Sequence, residues 1–414
     1  MTGDVPLRRN RNFTLLWSGQ VVSELGGRVS AIAFPLLVLA LSGSPARAGI
    51  VGFAETLPLL VLTLPAGALV DRWDRKRVMI TADSACLLAM ASIPIGLALG
   101  ALPFAQIVMV AAVIGTGYAF SAVAEQSALR NVVADTQLPA AMARNQARIF
   151  GALLVGQPLG GALFALGRWV PFLFDAMSYL VSVLTLLFVR TSFQAKRESR
   201  PAQLGADVRA GLSWFWRQPF IRATSLITMG TDFTVNALYL VVIVLARDRG
   251  AGPALIGAMF VFLGLGGVVG ALIAPGLVRR LRTRTIVVAC QVLVAGLIPL
   301  LIVVPGRLAP GVIYGAMFLL HPTWNASVST YRLRTTPDHL IGRVTSIGKT
   351  LSLGPVALAS LGSGLLLEAA GVTPTLWVLF AVIMVTTVAA AVSPAVRQAP
   401  ARLRDVQIAE PPPA

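Results

Sequence analysis

Twelve apolar stretches of membrane-crossing length, separated by short loops, constrain this chain more than any other feature. About 20 apolar residues carry a helix across the hydrocarbon core. The stretches run over about 13–41, 48–70, 78–100, 104–127, 146–167, 171–190, 220–246, 254–278, 285–304, 310–331, 345–367 and 374–393. Only 12% of the residues are charged, where a soluble domain carries roughly twice that fraction. The solvent for most of the surface is therefore lipid, and the expected class is all-α and integral to a membrane.

Charge orients the spans. Lys and Arg are retained on the cytoplasmic side of a membrane. With residue 1 placed inside, 28 of the 34 Lys and Arg fall in inner segments and five in outer ones. The densest inner run is Asp71-Arg72-Trp73-Asp74-Arg75-Lys76-Arg77, between the second and third spans. This bias predicts both termini in the cytoplasm of a bacterial cell, with the chain in its inner membrane. The predicted organisation is a cytoplasmic segment over 1–12 and a six-helix bundle over 13–190. A cytoplasmic loop over 191–219, a second bundle over 220–393 and a disordered tail over 394–414 follow. Within the loop, 205–216 reads as an interfacial helix with Trp214 and Trp216 at headgroup level.

The two halves repeat one plan. The basic loop returns 208 positions later as Arg279-Arg280-Leu281-Arg282-Thr283-Arg284. The same shift carries Leu69-Val70 onto Leu277-Val278, and Glu24 onto Asp232. Gly156 maps onto Gly354 at a shift of 198. In membranes such duplication builds two bundles that rock about a site between them.

Several classes are excluded. The net charge of +17 is scattered among short loops and forms no aromatic-laced basic patch, which argues against nucleic acid. Cys86 and Cys290 both fall within apolar segments, so neither a disulfide framework nor a cysteine metal site is expected. The apolar run after residue 12 is too long for a signal peptide and lacks a cleavage site. The only histidines are His321 and His339. No Gly-Lys-Ser/Thr phosphate cradle is present, and no nucleophile–base set stands out. The expectation is a non-enzyme with no cofactor and no metal.

Ionisable groups within spans are expensive in lipid and belong in the bundle interior. Glu24 and Arg28, four apart in the first span, share a face in the favourable order. They read either as a neutralised structural pair or as a proton or substrate site. Asp232 lies in the seventh span with Asn236 one turn on. With Glu24 it is the candidate for proton coupling. His321, Trp324 and Asn325 in the tenth span are candidates to line a cavity, together with Arg28 and Asn236. Asp83 is placed to pair with the loop bases, and Asp175 to cap or snorkel. Glu125 can pair with Arg130 or, across helices, with Arg148. Glu55 also falls in a span. Gly151, Gly156, Gly160 and Gly161 allow close helix approach, and so do Gly264, Gly266, Gly267 and Gly270. Pro158 can bend its helix.

The stretch Gly67-Ala68-Leu69-Val70-Asp71-Arg72-Trp73-Asp74-Arg75-Lys76-Arg77 resembles the loop motif of the major facilitator superfamily, usually Gly-x-Leu-x-Asp-Arg-x-Gly-Arg-Arg, with Asp74 where Gly is usual. This variant, with Arg9-Asn10-Arg11-Asn12-Phe13, Leu16-Trp17-Ser18-Gly19-Gln20 and Ser23-Glu24-Leu25-Gly26, is similar to the branch of macrolide, multidrug and siderophore (enterobactin-type) exporters. Gly151–Gly161 is similar to the exporters' Gly-Pro-x-x-Gly-Gly motif, with Gln157 in the usual Pro slot, Pro158 one place late, and Gly160 and Gly161 in place. Gly354-Pro355 keeps the motif's start in the second half. The resemblance implies the two-bundle, twelve-helix fold. It also implies a cytoplasmic latch in which Asp71 meets a helix N-terminus of the other half. An anion gains about 0.3–1 kcal/mol there. Arg72, Arg75 and Lys76 read either as bridges to acids on neighbouring helices or as bases that only set topology. The functional expectation is proton-driven efflux of a small amphipathic compound by a monomer in the bilayer. Proton-coupled uptake, or a non-transporting sensor or assembly factor on the same fold, are the alternatives.

Overall fold

The computed structural model describes residues 7–70, 72–191, 193, 212–337 and 340–398. Among these, every regular element is helical. The first six are α1 (Arg11–Ser42), α2 (Pro45–Val70), α3 (Arg75–Ala98), α4 (Phe104–Val132), α5 (Leu138–Leu166) and α6 (Val170–Phe188). A short helix, α7, covers 212–217. Then come α8 (Pro219–Asp248), α9 (Pro253–Met259), α10 (Val261–Arg280), α11 (Thr283–Val303), α12 (Ala309–Met317), α13 (His321–Thr335), α14 (Ile341–Ala370), α15 (Val372–Val392) and α16 (Pro394–Arg397).

Eleven described helices are long and apolar enough to cross a membrane, with α9 and α10 forming one of them. The remaining crossing is the tenth. Sequence predicts it as one span over about 310–331, but it is two helices, α12 and α13, separated at Phe318–Leu320. The second piece carries His321, Asn325, Arg332 and Arg334, which lowers its hydropathy below that of a single lipid-facing span. A break at membrane depth survives where protein or a cavity surrounds it. Gly266 and Gly270, one turn apart on α10, supply that protein wall. A Cβ on Gly266 would collide with the Gly315 carbonyl, and one on Gly270 would collide with that of Leu319. By contrast, a Cβ on Gly267 or Gly151 would meet nothing within 4 Å, so neither packs closely as expected.

The described residues divide into two compact units. The first takes those up to residue 191, with 193 and Ala251–Val261, and the second takes the rest. In the first unit α1 packs on α5 and α6, α2 on α4, and α3 on α4 and α6. The segment Ala251–Val261 joins it because α9 lies along α5, where Gly161 and Gly257 approach so closely that a Cβ on Gly161 would sit 2.7 Å from the Gly257 Cα. In the second unit α8 packs on α14 and α15, and α11 on α15, α12 and α13. Leu88, Leu272 and Val303 are 72%, 77% and 74% exposed, as lipid-facing side chains are.

Termini and loops are fixed by local chemistry. Asn10 caps α1 by accepting from Phe13 N at 3.1 Å, and its Nδ2 donates to Val132 O at 2.8 Å, tying the start of α1 to the end of α4. The tail, expected to be disordered from 394, begins with α16. Its Val396 is fully buried beside Ile227 and Val287, so burial overrides the polar sequence that follows. The expected interfacial helix is described only over 212–217. Its anchor is Phe215, buried with Ile221, Leu340 and Val344, while Trp216 is exposed.

Candidate functional site

The first unit holds its charges in pairs and relays. Arg28 donates to Glu24 Oε1 from Nη2 at 2.8 Å and Nε at 3.1 Å, so the two form the ion pair their spacing allows. Gly156 on α5 makes room for it, since any Cβ there would collide with the Arg28 Cβ. Of the two partners open to Glu125, the structure takes Arg148: Nη1 to Oε1 at 2.6 Å and Nη2 to Oε2 at 3.0 Å, a bidentate pair with both side chains largely buried.

Asp83 does not pair with the loop bases. It accepts from Ser121 Oγ at 3.0 Å and Ser182 Oγ at 2.6 Å, and Ser182 accepts in turn from Gln20 Nε2 at 3.1 Å. Four helices, α1, α3, α4 and α6, meet through this relay. Asp175 neither caps nor snorkels. It is fully buried, with Ser178 Oγ donating to its Oδ1 at 3.0 Å, and Gly26 on α1 leaves space for it. Sequence alone does not reveal this network as a unit, because its members are scattered over four spans and a hydroxyl is common in membrane helices.

The loop motif also departs from expectation. Asp71 lies outside the described residues. Asp74, the departure from the family pattern, is the N-cap of α3: its carboxylate accepts from Lys76 N at 2.9 Å and Arg77 N at 3.2 Å. Two of the bases reach backbone carbonyls. Arg75, buried, donates from Nη1 to Phe193 O at 3.0 Å. Lys76 Nζ reaches Val189 O at 2.8 Å and Leu187 O at 3.3 Å, satisfying carbonyls at the C-terminus of α6 where a cation also complements the helix dipole. Arg72 is exposed, and its backbone N donates to Leu69 O at 3.0 Å. Gly67 faces open space. Pro158 and Pro355 lie inside continuous helices, and a Cβ at Gly354 would meet nothing within 4 Å, unlike one at Gly156 or Gly160.

The second unit brings the remaining candidates together. A cavity of about 260 Å³ is lined by Asp232, Gln291, Phe318, His321, Trp324 and Asn325. A more open one of about 430 Å³ shares Asp232, Trp324 and Asn325 and adds Asn236 and Arg332. Asn236 Nδ2 donates to Asp232 O at 2.8 Å, and Ser352 lines both cavities with Asp232. His321 Nδ1 lies 3.3 Å from Asn325 Nδ2. The break between α12 and α13 turns these groups inward: Cys290 Sγ meets Leu320 O at 3.5 Å, and Tyr314 OH donates to Val235 O at 3.0 Å, pinning α12 to α8. Arg28 lines neither cavity. An acid, an imidazole, amides and two aromatic rings around one hollow suit an amphipathic solute. Sequence pointed to Asp232, His321, Trp324 and Asn325 individually; Arg332 and Gln291 escaped it because nothing in the spacing placed them on the same wall.

Comparisons with known proteins agree with this architecture. A major facilitator family model described as "transmembrane secretion effector" matches residues 2–411. The multidrug efflux pump Tap of Mycobacterium tuberculosis (strain ATCC 25618 / H37Rv) is 31% identical, with 94% of this chain and 96% of that one covered. The staphyloferrin A transporter of Staphylococcus aureus is 24% identical, over 64% of this chain and 66% of that one. Among solved structures, a bacterial homologue of the human lysosomal transporter Spinster, inward-facing and occupied, has a TM-score of 0.76 at 12% identity, covering 99% of this chain and 100% of that one. A bacterial homologue of the iron transporter ferroportin, inward-facing, has a TM-score of 0.73 at 14% identity, covering 93% and 98%. With the helices, the loop motif and a match across nearly its full length, the chain belongs to the major facilitator superfamily and is a multi-pass membrane transporter of small molecules.

Proposed function

We propose that this transporter is an exporter, moving a small amphipathic compound out of the bacterial cytoplasm by alternating access in exchange for protons. The observation that carries the reading is the position of Asp232: one carboxyl in the walls of both cavities, beside Trp324 and Asn325. A carboxyl that faces solute can hold either a proton or the solute's polar end, which is the competition an antiporter requires. The names of the mycobacterial relatives support the outward direction and a drug-like solute. Glu24, paired with Arg28, is the second proton-carrying candidate. The 28-to-5 distribution of bases supports cytoplasmic termini in the inner membrane, and the protein acts as a monomer. Asp71 acts as the cytoplasmic latch, in a loop whose other end is fixed by Asp74 at the start of α3. Gly156 and Gly160 are the points on α5 that bear on α1 as α5 moves.

The test is a susceptibility screen of a pump-deficient bacterium expressing the chain, with and without a protonophore. Exporter activity raises resistance to some amphipathic compounds and loses that effect when the gradient is collapsed. Resistance unchanged by the protonophore would reject proton drive, and increased sensitivity would indicate uptake.

A further inference from the structure

Arg332 is left without a task by proton exchange at Asp232. It lies on the cavity-lining face of α13, three residues after Ser329 and seven after Asn325, and all three border the larger cavity. Its guanidinium forms no hydrogen bond or ion pair with any described residue, and its Nε is buried without a partner. Gly348 on α14 supplies its seat. A Cβ there would collide with Nη1 and stand 3.0 Å from Cζ, so the glycine leaves the space the guanidinium occupies beside that helix. Asp232 lines the same cavity but forms no ion pair with Arg332. An always-charged fork of donors, partly removed from water and unpaired, is unfavourable until an anion meets it.

We propose that the cavity binds solutes that carry a carboxylate, or a comparably compact anion, on an aromatic body. Arg332 takes the anion through two parallel N–H donors, and Trp324, which lines the same cavity, receives the aromatic body. Asn325 and Ser329 add donors along the same wall. This deepens the export reading by naming a substrate class: an anion for Arg332 on a solute whose own N–H or O–H donor competes with the proton for Asp232. It rests on that reading only for the direction of movement, since the site is tested by binding alone.

The experiment is calorimetric titration of the purified full chain in phosphatidylcholine nanodiscs with naphthaleneacetate, its neutral amide, and naphthylmethylamine. The wild type binds the carboxylate about tenfold or more tightly than the amide, the strength expected of a charged hydrogen bond. Arg332→Gln removes that preference while amide affinity stays within about twofold, a change below half of a tenfold step. Arg332→Lys keeps part of it, because a point charge cannot bind bidentately. Gly348→Ala, which retains the charge but displaces the guanidinium, lowers it as well. A wild type without carboxylate preference, or an Arg332→Gln protein that retains it, overturns the proposal. Displacement of the carboxylate by added phosphatidylglycerol would assign Arg332 to a lipid phosphate and also overturn it. Anion preference without gradient-driven flux would leave this site standing and remove the export reading. Flux without preference would do the reverse.

Discussion

A Cβ on Gly156 would collide with the Cβ of Arg28, so the helix carrying the glycine-rich motif packs directly on the residue that neutralises Glu24. One turn on, Gly160 stands where a Cβ would lie 2.5 Å from Val29 O, which makes the contact a seam between α5 and α1. Movement of α5 along this seam cannot leave the Glu24–Arg28 pair untouched.

Substitution at Gly156 tests the seam. Gly156→Ala forces Arg28 or α1 to shift, at a cost of about 1–3 kcal/mol as for other overpacked sites. The expected result is a lower thermal unfolding midpoint in detergent and slower efflux, with Gly156→Leu worse. Gly354→Ala is the internal control, since an added Cβ there meets nothing within 4 Å, and it should be neutral in the same assays.

The Glu125–Arg148 pair should behave as a buried ion pair. Losing one partner strands a charge and costs about 3–5 kcal/mol. Glu125→Gln and Arg148→Gln should each lower the unfolding midpoint strongly, and the double variant should be less impaired than the sum of the two. Additive losses in that cycle would show that the bidentate geometry contributes nothing beyond its separate residues.

Asp74 makes a prediction of the opposite kind. As an N-cap its replacement by Ala costs about 1 kcal/mol, and by Gly only a few tenths. Asp74→Gly, which restores the residue usual in the family, should therefore leave stability and efflux near wild type while Asp74→Ala is measurably weaker. Equal loss in both would mean that the carboxylate acts through its charge and not through Lys76 N and Arg77 N.

Asp71→Asn addresses the latch. The expected outcome is slower turnover with substrate affinity little changed, read by comparing efflux rates with equilibrium binding. Equal turnover in both proteins would remove Asp71 from gating.

Span number, the repeated plan and the family could all be read from the chain, because hydrophobic length and basic loops are properties of contiguous residues. The Glu24–Arg28 pair was readable for the same reason, being local to one helix. What sequence could not give was the partner of each buried charge. Asp83 looked available to the loop bases one turn away, yet Ser121 and Ser182 reach it from helices distant in the chain, and Lys76 reaches the end of α6. The break at Phe318–Leu320 was hidden because its residues are as apolar as a continuous span requires. Only the glycines facing it on α10 explain it.

The central claim is that a proton on Asp232 exchanges with solute. Its most direct test is flux in inverted vesicles under an imposed pH gradient, comparing wild type with Asp232→Asn. The account predicts substrate accumulation driven by an acidic interior in the wild type, and none in Asp232→Asn at equal membrane insertion. Gradient-driven accumulation by Asp232→Asn at the wild-type rate would contradict it.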